Sequence, residues 1–250
     1  MWGLTFETLL TWFLAPVDPS RGHMVDFYAA WHGRLMVMAW GILFPVSILI
    51  TRFMKIRPKQ RWPQELDSHF WFYFHVTVQL MGGAMIAVAV YLMWSSESSG
   101  WMAWLHRTAG WAVVTLYCVQ VFGGAVRGTK GGPSEREKRG SLHGDHYDMT
   151  RRRVMFEYLH KFFGYVALAL AFIAMLLGLW IANGFVWMWL GLVGWWAMAG
   201  IIYAYCQRRG MALDTYQAIW GPDPALPGNQ RKPIGIGVHR RGPNNESWGA

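Results

Sequence analysis

Charge is scarce in this chain, and negative charge scarcest. Only 15% of its 250 residues are charged, 14 of them acidic against 23 basic. Cysteine is nearly absent: Cys118 falls mid-way through an apolar segment and Cys206 at the end of another, so no disulfide is expected. Neither belongs to a CxxC or CxxCH pattern, which excludes zinc ribbons, dithiol redox motifs and covalently attached haem. The N-terminal MWGLTFETLLTWFLAP lacks the basic residues that open a cleaved signal and carries Glu7, so it reads as an interfacial helix.

What the chain does have is apolar length. Hydrophobic residues make up 54% of it, with 17 Trp, a composition that suits a polytopic membrane protein. Five stretches are long enough to span a bilayer, near 28–53, 70–94, 101–126, 155–182 and 185–205. The connections SSESSG and Asn183-Gly184 are short, so consecutive helices pack antiparallel. Of the 23 Lys and Arg, five lie in 52–68, eight in 127–153 and six in 207–250, 19 in all. All three segments fall on one side, and cytoplasmic loops collect basic residues. The expected orientation is N-terminus outside and C-terminus cytoplasmic. The basic balance is then a matter of topology and anionic lipid, and nucleic acid is not an expected partner.

Nine histidines are present, and four sit inside the apolar segments: His32, His75, His106 and His160. Each lies about five residues past the start of its helix, or about 8 Å at the α-helical rise. Because the helices alternate in direction, His32 shares a depth with His106 near the outer face. His75 shares another with His160 near the inner face. A single intramembrane histidine is often a hydrogen-bonded structural residue, but four at matching depth are hard to produce that way. Opposing histidines from two helices can supply both axial ligands to a haem iron. Gly110 and Gly164 follow His106 and His160 by four residues and Gly82 follows His75 by seven, which puts glycine on the ligand's own face, where a flat macrocycle could approach the backbone. Glycine is also common at ordinary membrane helix contacts. Arg34, Arg107 and Lys161 flank these histidines and could pair with propionates or snorkel to lipid headgroups. Gln79 and Gln120 are read as interhelical hydrogen-bonders.

Taken in order, the motifs resemble the cytochrome b561 family. His32-Gly33-Arg34-Leu35-Met36, continued by Trp40-Gly41-Ile42-Leu43-Phe44-Pro45 and Arg52, is similar to its first haem helix. WFYFHVTVQ (71–79), HRTAGW with Gln120, and EYLHKFFGY (157–165) resemble the other three. The resemblance covers about 28–206 and is closest to the branch often fused to a DOMON domain, which is not seen here. It implies an all-α membrane protein with a four-helix haem-binding bundle plus one further helix, and two non-covalent haem b groups. It also implies axial pairs His32–His106 and His75–His160. Family members are transmembrane electron carriers, passing electrons from ascorbate to monodehydroascorbate or ferric chelates. Five spans where six are typical suggest a bacterial inner-membrane member, for which a quinol or a partner dehydrogenase is the more plausible donor.

The expected organisation is an N-terminal interfacial segment (1–27), a transmembrane domain (28–206) and a flexible cytoplasmic tail (207–250) too rich in Pro and Gly to form a core. In the loop MKIRPKQRW, Lys55, Arg57 and Lys59 form a basic patch that would attract an anionic donor or touch lipid phosphate. The loop motif HGDHYD (143–148) could bind a metal, but a hydrogen-bonded lid is preferred. Three roles remain open: a transmembrane oxidoreductase, a haem-containing relay for a docked soluble redox protein, and a transporter with histidine proton relays. A homodimer is compatible with the sequence.

Overall fold

A computed structural model describes residues 5–96, 99–135 and 140–242. Among them lie seven helices: α1 (Phe6–Phe13), α2 (Phe27–Phe53), α3 (Phe70–Leu92), α4 (Trp101–Ala125), α5 (Arg151–Ile181), α6 (Val186–Arg208) and α7 (Thr215–Trp220). Five of these, α2 to α6, are long and apolar enough to cross a membrane. Lipid offers no partner to a backbone amide, so an apolar run of that length satisfies its N–H and C=O groups as helix. The all-helical class and the five spans expected from the sequence are both present. No strand occurs among the described residues, which hold two isolated bridges, Pro16 with Phe185 and Leu213 with His239.

Local chemistry fixes the ends and bends. Thr5 and Thr8 cap α1 reciprocally, and the Asp26 carboxylate accepts from the Ala29 amide at 2.9 Å to start α2. α1 exposes Phe6, Leu9, Trp12 and Phe13. Inside α2, residues Val37–Leu43 widen into a π-helical turn. Pro45 follows it and cannot donate to the carbonyl four residues back, that of Gly41. The Trp195 indole N–H takes that carbonyl at 2.7 Å, so the missing backbone bond leaves no buried orphan.

The chain forms two compact units, and each of the five long helices contributes a part to both. The first unit comprises Met1–Pro45, Gln79–Thr115 and Ala167–Ile201. Small residues line its interior: Ala39, Ala89, Ala103, Ala171 and Ala174 are all buried beside Trp40 and Phe44. Gly82 is where the Phe44 ring closes in; a Cβ there would lie 2.2 Å from the ring. Asn183, at φ +48, closes the α5–α6 turn. Its side chain donates to the Asp18 and Arg21 carbonyls at 3.0 and 2.6 Å and accepts from the Asp18 amide at 2.9 Å.

The second unit comprises Val46–Val78, Leu116–Val166 and Ile202–Ala250. Here the expectation of a coreless tail is overturned. Leu213, Tyr216, Gln217, Ala218 and Ile234 are almost fully buried. Leu213 and Ala218 cluster with Ile56 and Trp62, and Tyr216 and Ile234 with Met149. The physical reason is that a few large apolar side chains suffice when the glycines and prolines between them let the chain fold tightly. Gly228 illustrates it, since the Tyr216 ring lies where a Cβ would sit, at 2.3 Å. Asp214 pairs with Arg240 at 2.7 Å, and Arg240 also donates to the carbonyls of Gly228, Asn229 and Arg231. The last eight positions of the expected tail, 243–250, lie outside the described residues.

Candidate functional site

Each unit holds one histidine pair. In the first, the rings of His32 on α2 and His106 on α4 have centroids 6.0 Å apart and planes at 73°. In the second, His75 on α3 and His160 on α5 stand 6.1 Å apart at 79°. The structure thus brings together the two pairs that insertion depth selected.

The hydrogen bonds of these rings decide what they can do. His32 Nδ1 lies 3.0 Å from the Ala89 carbonyl oxygen and His106 Nδ1 lies 2.9 Å from that of Ala174. A carbonyl can only accept, so each Nδ1 carries the proton and each Nε2 the lone pair. That is the tautomer of a metal-ligating histidine whose other nitrogen is held by its surroundings. His75 Nδ1 meets the buried Ser47 hydroxyl at 3.1 Å. His160 Nδ1 is buried without a hydrogen-bond partner, and its ring stacks on Phe156 at 5.1 Å.

The spacing fits a shared metal ion. Two imidazoles bound through Nε2 to one ion, with metal–nitrogen bonds of about 2.0–2.1 Å, place their ring centres about 6.3 Å apart. Rings hydrogen-bonded directly to each other would be closer by about 1 Å. Room for a flat ligand is uneven. A Cβ at Gly110 would meet open space, whereas one at Gly164 would touch the Gln120 amide at 3.4 Å and one at Gly178 the His106 ring at 3.2 Å. Gly164 therefore makes room for Gln120, whose Nε2 donates to the His160 carbonyl at 2.8 Å, as the interhelical reading of Gln120 expected.

The flanking cations divide. Arg34 is exposed, its guanidinium over the Trp31 ring at 5.3 Å, and Arg107 is also exposed. Lys161 is committed to Glu157 Oε2 at 3.1 Å and the Ile234 carbonyl at 2.7 Å. The proposed basic patch does not hold together: Arg57 and Lys59 are exposed, but Lys55 is buried and donates to the Leu213 carbonyl at 2.9 Å. Burial, then the neighbouring Lys161 charge, pushes Lys55 down to about 7. The run MKIRPKQRW gave no sign that its first lysine turns inward.

The HGDHYD loop is hydrogen-bonded. His146 is fully buried; its Nδ1 accepts from the Trp220 indole at 3.2 Å. Burial and then the Arg153 charge push it down to about 3, so its 3.5 Å contact with Glu157 is not an ion pair. Asp145 accepts from Thr150 and Arg152, and Asp148 from the Ser134 amide. Among the described residues no group of three or more His, Cys, Asp or Glu could hold a metal ion. Glu157, which the sequence reading passed over, is the ionic hub, nearly buried between Arg153 at 3.2 Å and Lys161 at 3.1 Å.

Residues 31–136 match the sequence profile described as eukaryotic cytochrome b561, a stretch that includes His32, His75 and His106. That stretch of the chain is similar to the cytochrome b561 family. Cytochromes b561 bind haem b, and the histidine pairs offer the donor chemistry that such a group needs. An Arabidopsis thaliana protein with cytochrome b561, DM13 and DOMON domains is 26% identical over 59% of the chain and 14% of its own length. Another Arabidopsis thaliana cytochrome b561 and DOMON domain-containing protein is 31% identical over 38% of the chain and 22% of its own. Bos taurus ferric-chelate reductase 1 is 29% identical over 59% of the chain and 22% of its own. The chain thus spans about a fifth or less of the length of these curated relatives, and their eukaryotic sources lend nothing to a bacterial assignment. No solved structure matches.

Proposed function

We propose that the chain carries electrons across the membrane through two haem b groups, one held by His32 and His106, the other by His75 and His160. The observation that carries this reading is the pair of carbonyl-locked Nδ1 atoms of His32 and His106, which leaves each Nε2 lone pair for a metal. Bound haem iron supplies one-electron Fe(III)/Fe(II) chemistry. The protein's part is to fix the ring orientations through Ala89, Ala174 and Ser47, and to exclude water with the alanine-rich interior of the first unit.

The Lys and Arg gathered in 52–68, 127–153 and 207–250 support a cytoplasmic side for those segments, with the N-terminus outside. On that orientation electrons enter at His75/His160 from an ascorbate-like reductant or a quinol. They leave at His32/His106 to an outer acceptor such as a ferric chelate, the acceptor class named in the bovine relative. Purified protein should show a reduced b-type spectrum with about two haems per chain. His75→Ala or His160→Ala should abolish one centre and spare much of the other. A folded, colourless protein would refute the proposal.

A further inference from the structure

The cations of the second unit share a pattern that the histidine pairs leave unused. Arg52 ends α2, Lys55 follows it, and Lys161 on α5 adjoins His160. All three donate to backbone carbonyls of the C-terminal segment 209–242. Arg52 Nη2 reaches the Ile236 oxygen at 2.6 Å, Lys55 Nζ that of Leu213 at 2.9 Å, and Lys161 Nζ that of Ile234 at 2.7 Å. Arg52 also donates to the Tyr165 hydroxyl and the Gln207 amide oxygen, and its Nε is buried without a partner. Lys161 has Glu157 as counter-ion, but these bonds of Arg52 and Lys55 end on neutral oxygens. A cationic donor prefers an anion's oxygen to a neutral carbonyl, because the attraction of full charges adds to the hydrogen bond. An oxyanion would therefore serve this cluster better than the carbonyls that fill it.

We infer that segment 209–242 is a plug, whose carbonyl oxygens hold the place of a small oxyanion at Arg52, Lys55 and Lys161, beside His160. A water-soluble anionic reductant then reaches the His75/His160 pair only when the segment lifts, while a neutral lipid-borne hydroquinone is not held back. This deepens the electron-transfer reading above and rests on it. The segment has its own anchors away from the cations. The Trp220 indole donates to His146 and the Tyr216 hydroxyl to the Tyr147 carbonyl at 3.1 Å, and Gly228 seats the Tyr216 ring.

Those anchors allow a test in the full chain. Y216A/W220A and, separately, G228V should lift the segment, as amide hydrogen exchange over 213–241 would register. Stopped-flow reduction by ascorbate should then quicken about tenfold or more, the scale of gain that access to a charged cleft gives. Inorganic phosphate should compete, and reduction by duroquinol should not change. Equal ascorbate rates with the segment packed and lifted, or an equal gain for ascorbate and duroquinol, would overturn the plug. A protein without a haem spectrum would refute the electron-transfer reading instead. The plug is then judged by equilibrium phosphate binding, which the lifted variants must gain over the parent chain.

Discussion

Ser47→Ala tests the ligand reading at one atom. Ser47 is fully buried and its Oγ stands 3.1 Å from His75 Nδ1. If His75 binds iron through Nε2, Nδ1–H donates to that hydroxyl, which makes the imidazole more basic and favours the more highly charged Fe(III). Removing the hydroxyl leaves the N–H buried and unpaired. A net hydrogen bond is worth about 0.5–1.5 kcal/mol, and the part that differs between oxidation states is a fraction of it. About 59 mV corresponds to 1.4 kcal/mol for a one-electron couple, so the His75/His160 centre should rise by about 20–40 mV. Potentiometric titration of the reduced α-band, resolved into two waves, reads it.

If each histidine pair holds a haem as proposed, the same logic orders the two centres. Both rings of the first unit donate to carbonyls, whereas the second unit offers one hydroxyl and one unpartnered Nδ1. The His32/His106 centre should therefore have the lower potential, and Ser47→Ala should widen the gap. A fall in potential, or an equal shift of both waves, would show that Ser47 does not act through His75 and refute the tautomer assignment.

Other consequences are more local. Gly82→Ala drives a Cβ to 2.2 Å from the buried Phe44 ring, so the overpacked variant should lose about 1–3 kcal/mol, seen as a lower Tm in detergent. Glu157→Gln leaves Arg153 and Lys161 without their shared counter-charge; a buried pair broken on one side costs about 3–5 kcal/mol, and denaturant unfolding should register it. Lys55 gives a pH dependence. Packed, it sits at about 7, lowered by burial and by the Lys161 and Arg52 charges against those of Asp214 and Glu157, and it returns toward 10.5 when solvated. The packed state binds fewer protons between those values, so packing of 209–242 should strengthen as pH rises from 7 towards 10.5 and be flat below 7. Hydrogen exchange corrected for intrinsic rates measures this, and Lys55→Met should remove the slope.

The four histidines were legible because an ionisable side chain inside an apolar run is costly enough to be conspicuous. Helix direction then fixed their partners. Their supports were not legible. Two are backbone carbonyls of alanine, which any residue could provide, and the third is a serine on another helix, 28 positions before His75. Lys55 was misread because a basic loop looks the same whether its lysines face water or fold inward; only the packing of Leu213 against Ile56 and Trp62 decides it. The tail was misread because composition averages over the Gly and Pro that turn the chain and the few residues, Leu213, Tyr216 and Ile234, that anchor it.

These misses share a cause that bears on how such a protein can vary. Binding iron demands a particular side chain at a particular depth, so it leaves a mark in the sequence. Setting basicity at Nδ1 demands only an acceptor about 3 Å away, which the backbone supplies wherever helix packing brings a carbonyl. If His106 holds a haem as proposed, the packing at Gly178 and Ala174, which seats its ring and its acceptor, would help to set the properties of that centre. Substitutions that shift α5 against α4 by a few tenths of an ångström should therefore move its potential without touching a ligand.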